Sequence, residues 1–204
     1  MAAIVKHNPS ISTPIAEEER PLIQAFISGN NYAFSLLYKR YSNGLFAYGM
    51  AMGFERETVK DAVQEVFYKL YDRKKQLATI KNLKHYLLKM LKNYLFDQYR
   101  SQGESNLIDS HEQHFSITTT VLDELITHEE QMQLRQRVDH LLQLLTDRQR
   151  EAIHLRFILE MEYEEIGELL NMTPQASRKL ISRAIKRMRE EDAELLLMLL
   201  VLGM

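Results

Sequence analysis

Apolar residues recur every three or four positions along most of this chain, which is the spacing of an amphipathic α-helix. In residues 61–71 the repeat consists of Ala62, Val66, Phe67 and Leu70. Leu, Glu, Lys, Arg, Gln and Met dominate the composition, and only 7 glycines and 4 prolines interrupt the 204 residues. These are helix formers rather than strand formers. The pattern therefore predicts an all-α fold.

The same spacing continues in two later stretches, separated by a gap. In residues 82–100 the predicted core positions are Leu87, Leu91, Leu95 and Tyr94. After residue 130 they are Leu141, Leu144, Leu145, Ile153, Leu155 and Phe157. Between the stretches, residues 102–130 are rich in Ser, Thr, Asn and Gly and lose helical spacing until about Val121, where the next helix is expected to begin. The chain is therefore predicted to form two small helical domains joined by a linker.

The segment 173–189, TPQASRKLISRAIKRMR, is predicted to be a helix with two unlike faces. Thr173 is a favourable N-cap, and Pro174 is favoured at the first helical position because its missing N–H is unpaired there anyway. One half of the circumference carries Leu180, Ile181, Ala184, Ile185 and Met188. The other half carries Arg178, Lys179, Ser182, Arg183, Lys186 and Arg189. One face is therefore expected to pack and the other to be cationic.

The helix before this segment completes a recognisable pair. Tyr163, Ile166, Leu169 and Leu170 have helical spacing, and a short Asn-Met-Thr turn follows them. This is the layout of a helix-turn-helix, whose second helix enters the DNA major groove. A basic face that only contacts solvent is the alternative, but solvated faces usually mix both signs. Because residues 173–189 hold six cations and no acid, phosphate contacts are favoured.

Charge is distributed unevenly behind a net charge of −2. Residues 20–101 contain 14 Lys and Arg against 6 Asp and Glu, a balance of +8. Residues 102–130 contain seven acids and no Lys or Arg. The small net charge thus hides a basic block followed by an acidic linker.

The first domain offers two further candidate surfaces. The outer face of residues 61–72 is mixed and mostly acidic, and its pattern alone indicates an ordinary hydrated helix surface. Residues 82–100 combine cations with aromatic rings, a combination suited to unpaired bases because rings stack and cations neutralise phosphates. Aromatic residues at helical spacing are also common in cores, so both interpretations remain open for this helix.

Several function classes find little support in the sequence. The absence of cysteine excludes disulfides and thiolate chemistry and fits a reducing cytoplasm. The HEQH motif at 111–114 lacks further metal ligands, and neither a phosphate loop nor a nucleophile arrangement is present. No catalytic activity, metal or cofactor is expected. The first twenty residues lack an apolar run of signal-peptide length, and the apolar residues 195–204 are fewer than the roughly 20 that a membrane span requires. No membrane insertion is expected.

In their order, these segments resemble the extracytoplasmic-function (ECF) sigma factors of the sigma-70 family, which keep only the second and fourth conserved regions. Residues 29–49, GNNYAFSLLYKRYSNGLFAYG, resemble the opening helix of the second region. DAVQEVFYKL at 61–70 resembles its polymerase-binding segment, and YLLKMLKNYLFDQYR at 86–100 its closing helix. Residues 145–189 are similar to the fourth region along their whole length.

The resemblance implies three functional surfaces. The docking face, which would bind the clamp helices of the largest RNA polymerase subunit, consists of Asp61, Gln64, Glu65, Tyr68, Lys69 and Asp72. The downstream cluster, which would capture the melted minus-10 promoter element, consists of Asn82, Lys84, His85, Tyr86, Lys89, Lys92 and Asn93. The upstream set, which would read the duplex minus-35 element, consists of Thr173, Gln175, Arg178, Lys179, Ser182, Arg183 and Arg187.

The resemblance also implies boundaries for five segments. They are a flexible N-terminal tail at 1–19, region 2 at 20–101, a flexible acidic linker at 102–130, region 4 at 131–190 with its helix-turn-helix at 163–189, and an apolar C-terminal tail at 191–204. The tail after Glu194 has two interpretations, padding of its own domain, which is preferred, or contact with an inhibitor. Two positions depart from the family pattern. Ser177 replaces a usual buried valine, which predicts looser packing, and Tyr86 substitutes for a nearby tryptophan.

The partners implied are RNA polymerase core, promoter DNA and an anti-sigma factor, in the cytoplasm. The acidic linker would lie in the channel that nascent RNA later occupies and mimic that polyanion. A helix-turn-helix regulator that does not replace a sigma factor is the alternative, but it leaves the docking face and the linker without a role. Direct binding to polymerase core discriminates between the two.

Overall fold

The computed structural model describes residues 19–101, 115–116 and 128–202, and within these ranges it contains helices and no strand. The helices fall into an N-terminal and a C-terminal domain. The N-terminal domain consists of α1 (Glu19–Ile27), α2 (Asn31–Ala51), α3 (Arg56–Asp72), a 3-10 helix (Lys74–Thr79) and α4 (Leu83–Ser101). The C-terminal domain consists of α5 (His128–Gln143), α6 (Asp147–Ile153), a π-helical turn (His154–Ile158), α7 (Tyr163–Leu169), α8 (Pro174–Glu191) and α9 (Ala193–Leu202). The all-α prediction is confirmed.

The N-terminal domain is built from α2, α3 and α4, which pack against one another in pairs. The predicted core positions of α3 and the three predicted leucines of α4 are buried, whereas Tyr94 is half-buried against the core. At the α2–α3 crossing, a Cβ on Gly49 would lie 2.6 Å from Cγ1 of Val59. Glycine therefore allows the two helices to approach closely at this point.

Glu19 belongs to the folded domain and not to the N-terminal tail predicted for residues 1–19. It is the first residue of α1, and its side chain is buried. The hydroxyl of Tyr41 donates a hydrogen bond to the Glu19 carboxylate, and the Arg40 guanidinium lies 2.8 Å from the same carboxylate. Burial, together with this bond to Glu19, raises the pKa of Tyr41. A charged residue thus joins the fold because α2 supplies both a donor and a cation.

A capping box starts helix α6 of the C-terminal domain. Thr146 caps α6, because its side chain accepts from the backbone N–H of Gln149 and the Gln149 side chain returns a bond to the Thr146 N–H. Of the six core positions predicted after residue 130, four are buried, and Leu144 and Phe157 are half-buried against the core. Two bonds from the Arg150 guanidinium, to the carbonyl oxygens of Leu142 and Leu145, secure the turn between α5 and α6.

The apolar C-terminal segment folds back onto the recognition helix. Leu195, Leu196 and Leu199 of α9 are buried, and α9 packs against α8. Asp192 turns the chain between the two helices, since it accepts from the Leu195 N–H at 2.9 Å and pairs with Arg137 at 2.6 Å. Those two bonds hold the pKa of Asp192 below its usual value. The described residues of this segment therefore act as padding of their own domain.

Candidate nucleic-acid and protein interfaces

Helix α8 has the two faces that its sequence predicts. Thr173 is its N-cap, with the side chain accepting from the Ala176 N–H at 3.2 Å, and Pro174 is the first helical residue. On the inner face Ile181, Ala184 and Met188 are buried, while Leu180 and Ile185 are half-buried. All six polar residues predicted for the outer face are exposed. Burial of one face thus orients the cations of the other toward solvent.

The upstream set is accessible as a whole. Each of its seven members is exposed: Thr173, Gln175, Arg178, Lys179, Ser182, Arg183 and Arg187. The guanidinium of Arg178 lies over the ring of Tyr163, 4.8 Å from the ring centroid, which fixes the direction of its side chain. The guanidinium of Arg156 also lies 4.8 Å from the centroid of this ring. Tyr163 of α7 therefore serves as a platform for a cation of the recognition helix.

Ser177 packs beneath the recognition helix differently from the expected loose contact. It is fully buried, and its hydroxyl lies 2.8 Å from the carbonyl oxygens of both Tyr163 and Pro174. A hydroxyl donates one hydrogen at a time, so these two acceptors share it. The bond to Tyr163 crosses from α8 to α7. A polar link between the two helices thus stands where looser packing was predicted.

The docking face lies along the outer side of α3. Asp61, Gln64, Tyr68 and Asp72 are exposed. Glu65 and Lys69 are half-exposed and form an ion pair at 3.3 Å, one helical turn apart. The ammonium of Lys69 also lies 5.2 Å from the Tyr94 ring centroid of α4. The six side chains thus lie on the hydrated side of α3, where Tyr68 is the aromatic member of the set.

The downstream cluster lies at the start of α4, and much of it faces the C-terminal domain. The Asn82 amide donates to Glu165 at 2.6 Å, and Lys84 donates to the Leu159 carbonyl oxygen at 3.0 Å. Lys89 pairs with Glu168 at 3.3 Å. The donors expected to hold DNA therefore already have acceptors from α7 and the loop before it.

Further along α4, Lys92 takes part in a buried contact between the domains. Its ammonium lies 2.9 Å from Oε1 of Glu151, and the Tyr48 hydroxyl donates to the same oxygen at 2.5 Å. Glu151 is only 6% exposed, and a cation and a hydroxyl from the other domain compensate the charge of its buried carboxylate. Burial, followed by the nearby Glu151 charge, raises the pKa of Tyr48.

The remaining cluster members differ in accessibility. Asn93 is exposed, whereas His85 and Tyr86 are half-buried. His85 lies 3.7 Å from the Glu168 carboxylate, which is longer than a hydrogen bond. Phe96, one of the aromatic residues interleaved with the cations of α4, is buried and packs edge-on against Phe54 at 5.5 Å. Core packing therefore accounts for part of the aromatic pattern in this helix.

One aromatic residue of the linker is anchored between the domains. Phe115 is 2% exposed, and its ring lies 6.0 Å from Tyr48 and 5.4 Å from His154. The adjacent Ser116 N–H donates to the Ala51 carbonyl oxygen of α2 at 2.8 Å. On the other side, Arg150 donates to the Phe115 carbonyl oxygen at 2.7 Å. The linker therefore contacts both domains at this point.

His154 is buried beside Phe115, and no described residue hydrogen-bonds to either ring nitrogen. Burial lowers its pKa to about 4, because the charged imidazolium would lose its hydration. The HEQH motif lies outside the described residues. Among the residues that are described, no group of three or more His, Asp or Glu is placed to hold a metal ion. None of the described helices combines the length and the hydrophobicity that a bilayer span requires.

Comparison with protein families identifies both domains. Residues 37–104 match the model of sigma-70 region 2, and residues 135–188 match that of sigma-70 region 4. The two matches occur in the order expected from the sequence and cover the helices that carry all three surfaces. The chain is an ECF sigma factor of the sigma-70 family. It directs promoter-specific transcription, and a helix-turn-helix regulator of another kind is not favoured.

Known sigma factors share sequence and fold with this one. It is 20% identical over 158 residues to the ECF RNA polymerase sigma factor SigM of Bacillus subtilis, an alignment that covers 75% of this chain and 91% of SigM. It resembles CnrH, solved with the cytosolic domain of CnrY, with a TM-score of 0.55 and 22% identity over 87% of this chain and 99% of CnrH. It also resembles the Bartonella quintana sigma factor RpoE, solved with the anti-sigma factor NepR, with a TM-score of 0.53 and 21% identity over 77% and 94% of the chains.

Sequence reasoning missed several residues that organise this sigma factor. Glu151, Glu165 and Glu168 contact the N-terminal domain, although their local sequence indicates ordinary surface acids. Phe115 had one available signal, since it is the only aromatic residue in 102–130. An isolated ring in a polar segment usually has a hydrophobic site to occupy.

Proposed function

We propose that α8 reads the upstream promoter element as duplex DNA. In this proposal Gln175, Arg178, Lys179 and Ser182 contact base edges in the major groove. Arg183 and Arg187 hold phosphates, and Thr173 lies at the helix start where it approaches the backbone. The proposal is supported by the exposure of all seven side chains on a helix whose opposite face is buried.

The downstream cluster captures the melted promoter element. Its cations neutralise phosphates, while Asn82, Tyr86 and Asn93 provide the polar and aromatic groups that contact unpaired bases. The docking face on α3 binds the clamp of the largest RNA polymerase subunit. These roles are supported by the match to region 2 and by the exposure of most of the docking face.

The sigma factor contributes recognition and no catalysis, because polymerase core supplies the chemistry. Two DNA-binding domains on one tether bind one promoter more tightly than either domain alone. The acidic linker occupies the RNA exit path and mimics the nascent chain. The protein acts in the cytoplasm, where RNA polymerase is found. An anti-sigma factor binds this protein and holds it inactive; in support, the similar sigma factor RpoE of Bartonella quintana was solved in complex with the anti-sigma factor NepR.

The single observation that carries the proposal is the pairing of a solvent-facing cationic recognition helix with a separate docking face on one chain. The test begins with run-off transcription by polymerase core on fragments of the source genome, which identifies a promoter. The double variant Arg178→Glu, Lys179→Glu is then expected to weaken binding of the upstream element while core binding is retained. Lys186→Glu, Arg189→Glu is the control, because it makes the same charge change on the same face at the far end of α8.

The converse variant tests the docking face. Gln64→Ala with Glu65→Ala is expected to reduce association with core and to leave binding of isolated upstream duplex unchanged. Gln24→Ala with Glu55→Ala, two exposed positions outside the docking face, is its control. Equal loss of DNA and core binding in either experiment would contradict the division of labour between the two surfaces.

A further inference from the structure

Much of the α4 surface that is assigned to DNA contacts the C-terminal domain. Asn82, Lys89 and Lys92 contact three glutamates of that domain, at 2.6, 3.3 and 2.9 Å respectively. In the described part of the chain, by contrast, the upstream set on α8 is fully exposed and most of the docking face is too. The arrangement in which Glu151, Glu165 and Glu168 contact α4 is here called the closed arrangement.

The contacts that form the closed arrangement have the chemistry of a nucleic-acid complex. Carboxylate oxygens accept hydrogen bonds from ammonium and amide donors, as phosphate oxygens do. Each glutamate therefore occupies a donor that a DNA strand would require. Lys84 is occupied as well, by the Leu159 carbonyl oxygen at 3.0 Å. A single strand and the C-terminal domain would therefore compete for these groups.

The interface is of a kind that can separate. It borders an open pocket of about 410 Å³, whose lining includes Asn82, Lys84 and Leu88 of the N-terminal domain and Leu159 and Glu160 of the C-terminal domain. Polar and incompletely packed contacts between domains are typical of interfaces that open. Phe115 contributes an apolar anchor, inserted from the linker between Tyr48 and His154.

We propose that the C-terminal domain carries an internal docking surface for the promoter-melting face of α4, and that this surface competes with single-stranded DNA. The proposal rests on the assignment of the downstream cluster to DNA. It implies an order of events, because the docking face and α8 are accessible in the closed arrangement whereas four donors of the downstream cluster already contact the C-terminal domain. Polymerase and the upstream duplex can bind first, and capture of the melted strand requires the domains to part.

The experiment compares two double variants of the full-length chain. Glu165→Gln with Glu168→Gln removes two carboxylates that contact α4, while the glutamine oxygen can still cap α7 through the Glu162 N–H. Glu164→Gln with Glu194→Gln removes two exposed carboxylates and has the same net charge. The probe is a fluorescein-labelled single-stranded 20-mer of mixed sequence, and its binding is measured by anisotropy.

The variant that disrupts the interface is expected to bind the strand roughly fivefold more tightly than its control, the effect of losing two partly exposed contacts. Because the two variants have the same net charge, general attraction to DNA cancels in the comparison. Equal affinities for the strand would overturn the proposal.

Energy transfer provides the second measurement. The chain contains no cysteine, so Gln24→Cys and Gln143→Cys, both at exposed positions, place one label on each domain. Transfer is expected to fall in the Glu165→Gln, Glu168→Gln background and to remain at the parental level in the control background. Unchanged transfer in both would overturn the docking of the two domains.

A further substitution separates this proposal from the function on which it rests. In the background that disrupts the interface, Lys89→Ala is expected to weaken binding of the strand. If Lys89→Ala left the affinity for the strand unchanged, the assignment of α4 to DNA would be overturned, and the proposed competition with it. A fall in energy transfer in the Glu165→Gln, Glu168→Gln background would still show that the two domains dock.

Discussion

The hydroxyl of Tyr48 on α2 donates a hydrogen bond to the carboxylate of Glu151 on α6, across the boundary between the two sigma domains, at 2.5 Å. Both side chains are buried, and Lys92 of α4 approaches the same carboxylate oxygen at 2.9 Å. Two helices of the N-terminal domain thus stabilise one acid of the C-terminal domain. Loss of any one partner leaves a buried polar group less compensated.

Tyr48→Phe is expected to lower the free energy of unfolding by about 1–2 kcal/mol, because Glu151 loses a hydrogen-bond donor in a buried site. The aromatic ring remains to pack against Phe115 and His154. Denaturant unfolding of the full-length chain measures the change. Tyr68→Phe serves as the control, since Tyr68 is 69% exposed and its hydroxyl is in water. Equal unfolding midpoints for the two variants would contradict the importance of the Tyr48 bond.

The buried His154 predicts a loss of stability in acid. Burial lowers the pKa of His154 to about 4, whereas an unfolded chain protonates its histidine near 6.5. As pH falls from about 6.5 to about 4, the unfolded state therefore binds a proton that the folded state rejects, and up to about 3 kcal/mol of stability is lost. Above about pH 6.5 both states are neutral at this residue, and the term vanishes.

His154→Leu isolates this effect from the carboxylates that titrate in the same range. Tyr48 of α2, Phe115 of the linker and Glu151 on the preceding turn of α6 surround the site and are present in both proteins. Between about pH 6.5 and about 4, the loss of unfolding free energy is expected to be smaller in the variant by up to about 3 kcal/mol. Parallel curves of stability against pH for the two proteins would show that His154 does not titrate as proposed.

Gly167 of α7 is expected to resist substitution because the turn of the helix-turn-helix lies against it. A Cβ at this position would lie 2.8 Å from the Met172 carbonyl oxygen and 3.3 Å from the Pro174 nitrogen, and both are backbone atoms. Gly167→Ala is therefore expected to cost about 1–3 kcal/mol of unfolding free energy.

Gly44→Ala in α2 is the matched control for that substitution. A Cβ on Gly44 would have nothing within 4 Å, and alanine is the better helix former. This variant is expected to be neutral or up to about 1 kcal/mol more stable. Thermal melting of both variants compares them directly, and a similar loss in each would attribute the Gly167 effect to the helix backbone rather than to the turn.

Tyr163 is expected to act on DNA through Arg178. Tyr163→Leu removes the ring over which the Arg178 guanidinium lies at 4.8 Å, so the arginine is no longer oriented toward the groove. Weaker binding to upstream duplex is expected, and Tyr163→Phe, which keeps the ring, should retain most of it. In the Arg178→Ala background, Tyr163→Leu should have little further effect. Additive losses in the double variant would mean that Tyr163 acts independently of Arg178.

Features set by local sequence were predictable in this protein. The cap at Thr173 and the buried face of α8 follow from residue type and from a period of 3.6 residues, and both are confirmed. The core leucines of α4 follow from the same period. Ser177 could not be predicted in this way. Its hydroxyl donates to the Tyr163 carbonyl oxygen of the neighbouring helix, and helical spacing does not identify such an acceptor.

The contacts between the domains could not be predicted in the same way. Glu151 follows a capping box and has the sequence context of a surface acid, and its burial depends on Tyr48, which lies 103 residues earlier. Glu19 is similar, since α2 rather than its own neighbours compensates its charge. Partners distant in sequence determine such sites, and one sequence contains no pattern that pairs them.

The contacts that hold Phe115 also limit how far apart the N-terminal and C-terminal domains can move. Residues 102–127 connect α4 to α5, and a chain of 26 residues spans at most roughly 90 Å when fully extended. While Phe115 is held against α2, only residues 116–127 lead from it to α5, and twelve residues span at most about 40 Å. Release of Phe115 from this site would thus about double the greatest distance that the linker allows between the two DNA-binding domains along a promoter.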